Sequence, residues 1–298
     1  MKHSRTCHIL GAALFATISS SAQALVAYID EFKVVRSGSV FFLDTFDDGF
    51  APPSTPVGSF SCATAPNCYS IQGTFFDANE VGGKLRLDSA NGDNSESAAG
   101  TPRISLRARL LSNRSDDPAD VNAGLKMHRV FSASALYDLV IPEPGAQYQV
   151  RLTDAHLEPS DAGNQTDYLA LGIRTPTAGG PPIVRLFEQN FVAGTVTEID
   201  SAPLNLAIVA DQIRLTLSHT VANSTEVFAS WEYLNGGVVV GSGALDTPGN
   251  IFDGETWTRA EFHISTPVPE PETYAMLLAG IGMVAWRMRH QVRRRRAT

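Results

Sequence analysis

The sequence predicts an all-β fold, a two-sheet antiparallel sandwich of jelly-roll type, carried between an N-terminal signal helix and a single C-terminal transmembrane helix. Three observations point there. Short runs of four to seven residues, alternating or continuously apolar, recur through the middle of the chain and are separated by Gly, Pro, Asn and Asp. No long stretch of helical periodicity interrupts them. Each end carries an uncharged apolar run with basic residues beside it, the arrangement of segments that meet a membrane rather than a core.

Taken in order, residues 1–24 form a secretory signal peptide. Lys2, His3 and Arg5 make a positive start, Ile9 to Ile18 an apolar centre, and Ala22-Gln23-Ala24 a small-x-small cleavage site, so the mature chain is expected to begin at Leu25. Ten apolar residues are too few to span a bilayer, which argues against an uncleaved anchor.

Residues 25–266 are the ectodomain. Strands are expected in Phe32-Lys-Val-Val-Arg36, Val40-Phe-Phe-Leu43, Lys84 to Asp88, Ile104 to Leu110 and Tyr148 to Leu152. Further strands follow in Tyr168 to Ile173, Ile183 to Phe187, Ile213 to Leu217, Val227 to Tyr233 and Thr258 to Ile264. Ile213, Leu215 and Leu217 fall on one face and Arg214, Thr216 and Ser218 on the other, as in a half-buried antiparallel strand. Val227, Ala229, Trp231 and Tyr233 repeat that period. Asn235-Gly236-Gly237 then supplies the positive-φ residues of a tight hairpin leading into Val238. Ile141-Pro142-Glu143-Pro144 reads as a turn, because a strand pattern and not a helix follows it.

Cysteine and charge agree with export. Cys7 leaves with the signal peptide, and Cys62 and Cys68 remain with five residues between them, the arrangement of a disulfide closing one small loop in an oxidising compartment. The ectodomain keeps 15 of the 23 basic and 29 of the 31 acidic residues, a net charge near −14. Such a surface argues against nucleic acid or anionic lipid as partners and suits neutral sugars, cations or an environment of polyanions.

Candidate sites within the ectodomain are few. Asp116-Asp117-Pro118-Ala119-Asp120-Val121-Asn122 offers oxygen ligands for calcium but lacks the glutamate and regular spacing of an EF-hand loop, so it reads as a solvated acidic loop with calcium binding as the alternative, and no cofactor is expected otherwise. His128, His156, His219 and His263 are dispersed without a metal-binding spacing. Trp231, Tyr233 and Trp257 suit either a core or a sugar-stacking platform.

Leu43-Asp-Thr-Phe-Asp-Asp-Gly-Phe50, the strand pair from Asp211 to Gly237 and the closing Trp257 to Ile264 together resemble concanavalin-like lectin and glucanase domains. That resemblance implies a jelly roll over about 43 to 265. Laminarinase-like hydrolases of this fold carry a Glu-x-Asp-x-x-Glu strand. Here Glu198-Ile199-Asp200 begins the pattern, but Ser201-Ala202-Pro203 follows, the second glutamate is missing, and Pro203 is expected to disturb the strand. Retaining hydrolysis needs two carboxyl groups about 5–5.5 Å apart. No catalytic residue is assigned, and the ectodomain is not expected to be an enzyme.

The tail, 267–298, has three parts. Val268, Pro269, Glu270 and Pro271 form an extended segment, since proline fixes φ and lacks the amide donor. An uncharged run from Tyr274 to Trp286 follows, within a transmembrane helix expected at about 273–286. At ~1.5 Å per residue the thirteen residues of the run cover only ~20 Å, so a thinned bilayer and snorkelling arginines are required. Arg287, Arg289, Arg293, Arg294, Arg295 and Arg296 form a basic stop that holds the C-terminus in the cytoplasm. The combination of Val-Pro-Glu-Pro, apolar helix and arginine-rich end resembles the PEP-CTERM sorting signal of Gram-negative bacteria. This resemblance implies an exosortase as partner, with the chain as its substrate, and association with exopolysaccharide at the cell surface or in the biofilm matrix.

Overall fold

A computed structural model describes residues 25–46, 69–72, 79–88, 103–110, 125–154, 167–190, 195–252 and 257–267, together with 281 and 283. The chain divides into two units, Ala24–Pro267 and the pair of ends Met1–Gln23 with Val268–Thr298. In the second unit Ile281 and Met283 are helical and exposed. Among the described residues no helix is long and apolar enough to cross a membrane. The expected signal peptide with Ala22 and Ala24, the Cys62–Cys68 loop, the Asp116 to Asn122 loop, His156, the motif Val268 to Pro271, the arginines from Arg287 to Arg296 and the rest of the expected transmembrane helix lie outside the described residues.

The first unit is built from antiparallel strands: β1 (Val26–Arg36), β2 (Ser39–Asp44), β3 (Tyr69–Gln72), β4 (Asn79–Glu80), β5 (Leu85–Asp88), β6 (Arg103–Leu110), β7 (Leu125–Lys126), β8 (Phe131–Asp138) and β9 (Gln147–Asp154). They continue with β10 (Tyr168–Arg174), β11 (Ile183–Asn190), β12 (Thr195–Pro203), β13 (Gln212–His219), β14 (Glu226–Asn235), β15 (Val238–Ala244), β16 (Gly249–Asn250) and β17 (Trp257–Pro267). One sheet has the order β15-β14-β13-β8-β1-β5-β4, with β2 on β1 and β16 on β14. The other has the order β12-β11-β10-β9-β17-β6-β3, with β7 on β17. The fold is therefore the all-β, two-sheet antiparallel sandwich that the alternating runs predict.

The core lies between the sheets and is made by the period-2 faces. Ile213, Leu215 and Leu217 of β13 are fully buried, as their alternation requires. In β1 the phase changes midway: Ala27 and Ile29 face inward, then Phe32 and Val34. A bulge between Ile29 and Glu31 against β8 makes the change possible, because one extra residue reverses which side the following residues face. The bulged residue, Asp30, sits 3.3 Å from Lys84 Nζ, which also donates to Asp138 at 2.6 Å. Burial pushes the Asp30 carboxyl above its ordinary range in spite of that lysine.

Aromatic rings tie the two layers together. Phe262 of β17 meets Phe32 of β1 edge-on at 5.2 Å and Phe46 at 6.1 Å. Trp231 and Tyr233 of β14 are core residues, which settles the two readings of those rings in favour of packing. Opposite them in the edge strand stand Gly243 and Gly241. A Cβ at Gly243 would lie 2.2 Å from Trp231 Cζ2, so the missing side chain is what admits the indole. The Asn235–Val238 pair closes over Gly236 and Gly237, both with positive φ, as the hairpin reading requires. The segment Ile141 to Pro144 leads into a turn over Glu143 to Ala146, closed by Ala146 N–H donating to Glu143 O at 2.8 Å, and Pro144 itself bridges Thr175. The segment is pinned by the Thr175 hydroxyl donating to Pro142 O at 2.6 Å and Gly145 N–H donating to Thr175 O at 2.7 Å.

Candidate functional site

Two features combine chemistry with position: the buried polar layer on the second sheet, and the end of the sandwich from which the tail departs. On β9 the core-facing residues are Tyr148, Val150 and Leu152, so Gln147, Gln149, Arg151 and Thr153 face the other way. On β17 the alternation places Glu261 and His263 on that same side, and register sets Glu261 opposite Arg151 and His263 opposite Gln149. All four side chains are fully buried.

Their contacts form a network. Arg151 Nη1 donates to Glu261 Oε1 at 3.2 Å, and the guanidinium lies 4.0 Å over the Tyr168 ring of β10. With its amide oxygen turned toward Arg151 and His263, Gln149 accepts from Arg151 Nε–H and from His263 Nδ1–H, each at 2.6 Å. Tyr168 in turn donates its hydroxyl to Gln189 Oε1 of β11. Within the layer the charges of Arg151 and Glu261 offset one another, which eases the burial of both. Such a network cross-links β9, β10, β11 and β17.

At its edge the layer opens. Arg185 of β11 donates to Gln147 Oε1 at 2.6 Å, covers Phe187 at 4.0 Å and lies 3.8 Å from the exposed carboxylate of Glu198 on β12. Gly172 sits between Gln149 and Arg185 in register, and a Cβ there would fall 2.8 Å from Gln149 Cβ and 2.9 Å from Tyr148 O.

The Glu198-Ile199-Asp200 segment corrects one expectation. Pro203 does not break the strand that carries these carboxylates: β12 runs through it to pair with Ile183, because Pro203 is the last residue of an edge strand and no ladder donor is lost. What separates the carboxylates is a bulge. Glu198 pairs with Phe187 and Asp200 with Leu186, so the two project to opposite faces. Glu198 accepts from the Ser201 hydroxyl at 2.8 Å, while Asp200 accepts from the amides of Asp246 at 3.0 Å and Thr247 at 3.1 Å.

Those amides, Thr247 foremost, hold the Asp200 carboxyl below its ordinary range. A folded-state value below the unfolded one adds stability above the ordinary carboxylate pKa of about 3.9 that is lost as pH falls through the lower folded value. Asp200→Asn should flatten the acid limb of a stability-versus-pH curve below about pH 4, by under about 1 kcal/mol because the group is solvent-screened. Urea midpoints at stepped pH measure it.

Among the described residues no group of three His, Cys, Asp or Glu side chains is placed to hold a metal ion. His128 is exposed, while His219 and His263 are buried on the faces of β13 and β17. His219 is stacked on Phe131 with its two ring nitrogens facing Arg129 O and Ser224 O. The Arg151–Glu261–His263 association was not readable from spacing, since 110 residues separate Arg151 from Glu261. The only local signal is the polar alternation Gln147-x-Gln149-x-Arg151 against Glu261-x-His263.

β17 is an interior strand of its sheet, and it runs without interruption to Pro267, paired there with Arg103. The tail starts at that residue. Residues 267–295 match the family model of the PEP-CTERM protein-sorting motif. The sorting segment thus begins where the sandwich ends, with no spacer between the last strand and Val268. No curated protein matches the chain. Among solved structures the chain is similar to a glycosyl hydrolase family 16 protein from Mycobacterium smegmatis, at 13% identity over 78% of this chain and 93% of that one, with a TM-score of 0.30. It is also similar to the kappa-carrageenase of Pseudoalteromonas carrageenovora, solved with an oligotetrasaccharide of kappa-carrageenan, at 12% identity over 55% and 68% of the two chains and a TM-score of 0.24. Likeness at that level assigns neither activity nor ligand to this chain.

Proposed function

We propose that this protein is an exported cell-surface or extracellular-matrix protein of a Gram-negative envelope, sorted and processed by an exosortase, with a non-catalytic sandwich as its mature body. The observation that carries the reading is the sorting motif at 267–295 attached directly to the last strand. The sandwich supports a non-catalytic role in two ways: its paired carboxylates at Glu198 and Asp200 are split across a bulge, and Glu261 is neutralised by Arg151. Replacing Pro269, Glu270 and Pro271 with alanine should leave the chain in the inner-membrane fraction, while the wild type leaves it. Equal retention of both would remove the sorting reading.

One surface feature supports an association with exopolysaccharide. An open trough of about 540 Å³ on the outer face of the first sheet is lined by Thr216, Ser230, Glu232 and Ser242, and Arg214 holds Glu232 at 2.8 Å. Hydroxyls and a fixed carboxylate suit the hydroxyl groups of a neutral sugar. Glu232→Ala with Ser230→Leu should abolish retention on immobilised neutral exopolysaccharide. No reducing ends should appear with either protein. Release of reducing ends by the wild type would make it a hydrolase.

A further inference from the structure

Register places a particular set of loops at one end of the sandwich. In the second sheet Ser265 of β17 pairs with Gln147, Gln147 with Arg174, Arg174 with Ile183 and Ile183 with Pro203. In the first, Gln212 pairs with both Asp138 and Leu234. The segment 204–211 and the β14–β15 hairpin therefore share the end at which β17 delivers the chain to Pro267.

That end is apolar in an unusual way. Leu204-Asn-Leu-Ala-Ile-Val-Ala210 contains no charge, and within it Leu206 is 56% and Val209 80% exposed, beside Val238 at 66%. The backbone of the two loops that carry them is fixed by hydrogen bonds. Asn235 Nδ2 donates to Val209 O at 3.3 Å, Gly236 N–H donates to Asp211 at 3.2 Å, and Asn205 N–H donates to the hydroxyl of the core residue Tyr233 at 2.9 Å. Single exposed apolar residues are ordinary, but a fixed cluster on two adjoining loops marks an interaction surface.

We propose that this loop pair seats in the interface of the lipid bilayer, so that the precursor is held at the membrane by the loops as well as by its tail. The occupant follows from chain length. Seven residue steps separate Pro267 from Tyr274, the start of the apolar run, and span at most about 25 Å when fully extended. The loop end of the sandwich is thus kept close to the headgroups for as long as the run lies in the membrane, and the proposal rests on that reading of the run. With no basic residue in the segment and a net negative ectodomain, the attraction is apolar and suits uncharged lipid.

The test uses the full chain reconstituted in protein-free phosphatidylcholine vesicles. An environment-sensitive dye is placed at Val209→Cys, at Val221→Cys in the β13–β14 connection of the opposite end, or at Met283→Cys in the tail. Each variant also carries Cys7→Ser, Cys62→Ser and Cys68→Ser, and a urea midpoint equal to that of the cysteine-free parent certifies its fold. Quenching by spin-labelled lipid is expected at 209 and 283 and not at 221, and it should persist from about 0.1 to about 1 M salt because screening acts on charges. A dye at 209 that behaves like the one at 221, while 283 is quenched, overturns the proposal and leaves the tail reading intact. Quenching at 209 alone upholds loop insertion and removes the tail reading. Protection of 209 in cells but not in vesicles assigns the surface to a protein and overturns the proposal.

Discussion

Arg151→Met is expected to destabilise the sandwich by about 3–5 kcal/mol, and Glu261→Leu by a similar amount. The two side chains are 3.2 Å apart and fully buried, so removing one takes a charged partner from the other in a medium that solvates charge poorly. The Gln149 amide and the Tyr168 ring stabilise the guanidinium but carry no compensating charge. Total stabilities of single domains are about 5–15 kcal/mol, so either change removes a large share. Replacing both, as Arg151→Met with Glu261→Leu, should recover most of the loss, because apolar side chains of similar volume do not need the pair. Urea unfolding of the four proteins forms a double-mutant cycle. Additive losses would mean that the pair is not coupled.

Phe262→Ala carries the second large effect, about 3–5 kcal/mol, through the cavity that it leaves. The ring stands where β17 of one sheet meets Phe32 of the other, with Phe46 closing the third side. Backbone on both sides is fixed by ladders, β17 to β9 and to β6, and β1 to β8 and to β5, so the site has little freedom to collapse. Phe262→Leu should cost markedly less. An equal loss for the two variants would show that ring shape, not volume, decides the packing here.

Strands whose inward residues are large were legible from the sequence, β13 and β14 being the clearest, because burial of alternate apolar side chains leaves a period-2 trace. β8 was not. It is central to the first sheet, yet its buried face includes Ala133 and Ala135, whose small side chains give little hydrophobic contrast with the intervening serines. β12 escaped for the opposite reason: as an edge strand it is polar and largely exposed, and its ladder to β11, not its side chains, makes it a strand. The polar layer was hidden by distance along the chain. Gln149, Arg151, Glu261 and His263 become neighbours only once β9 and β17 are adjacent, and no local pattern reports which two strands will pair. The sorting segment was readable at once because its parts are contiguous and their order is itself the signal.

The central claim, that the tail is a sorting signal removed on maturation, is tested most directly by the intact mass of the protein recovered from the surface or matrix of its native cells. A mass for a chain that starts at Leu25 and lacks Tyr274 to Thr298 is the predicted result. A mature chain that still carries Arg293 to Arg296 would contradict it and make the segment a plain anchor.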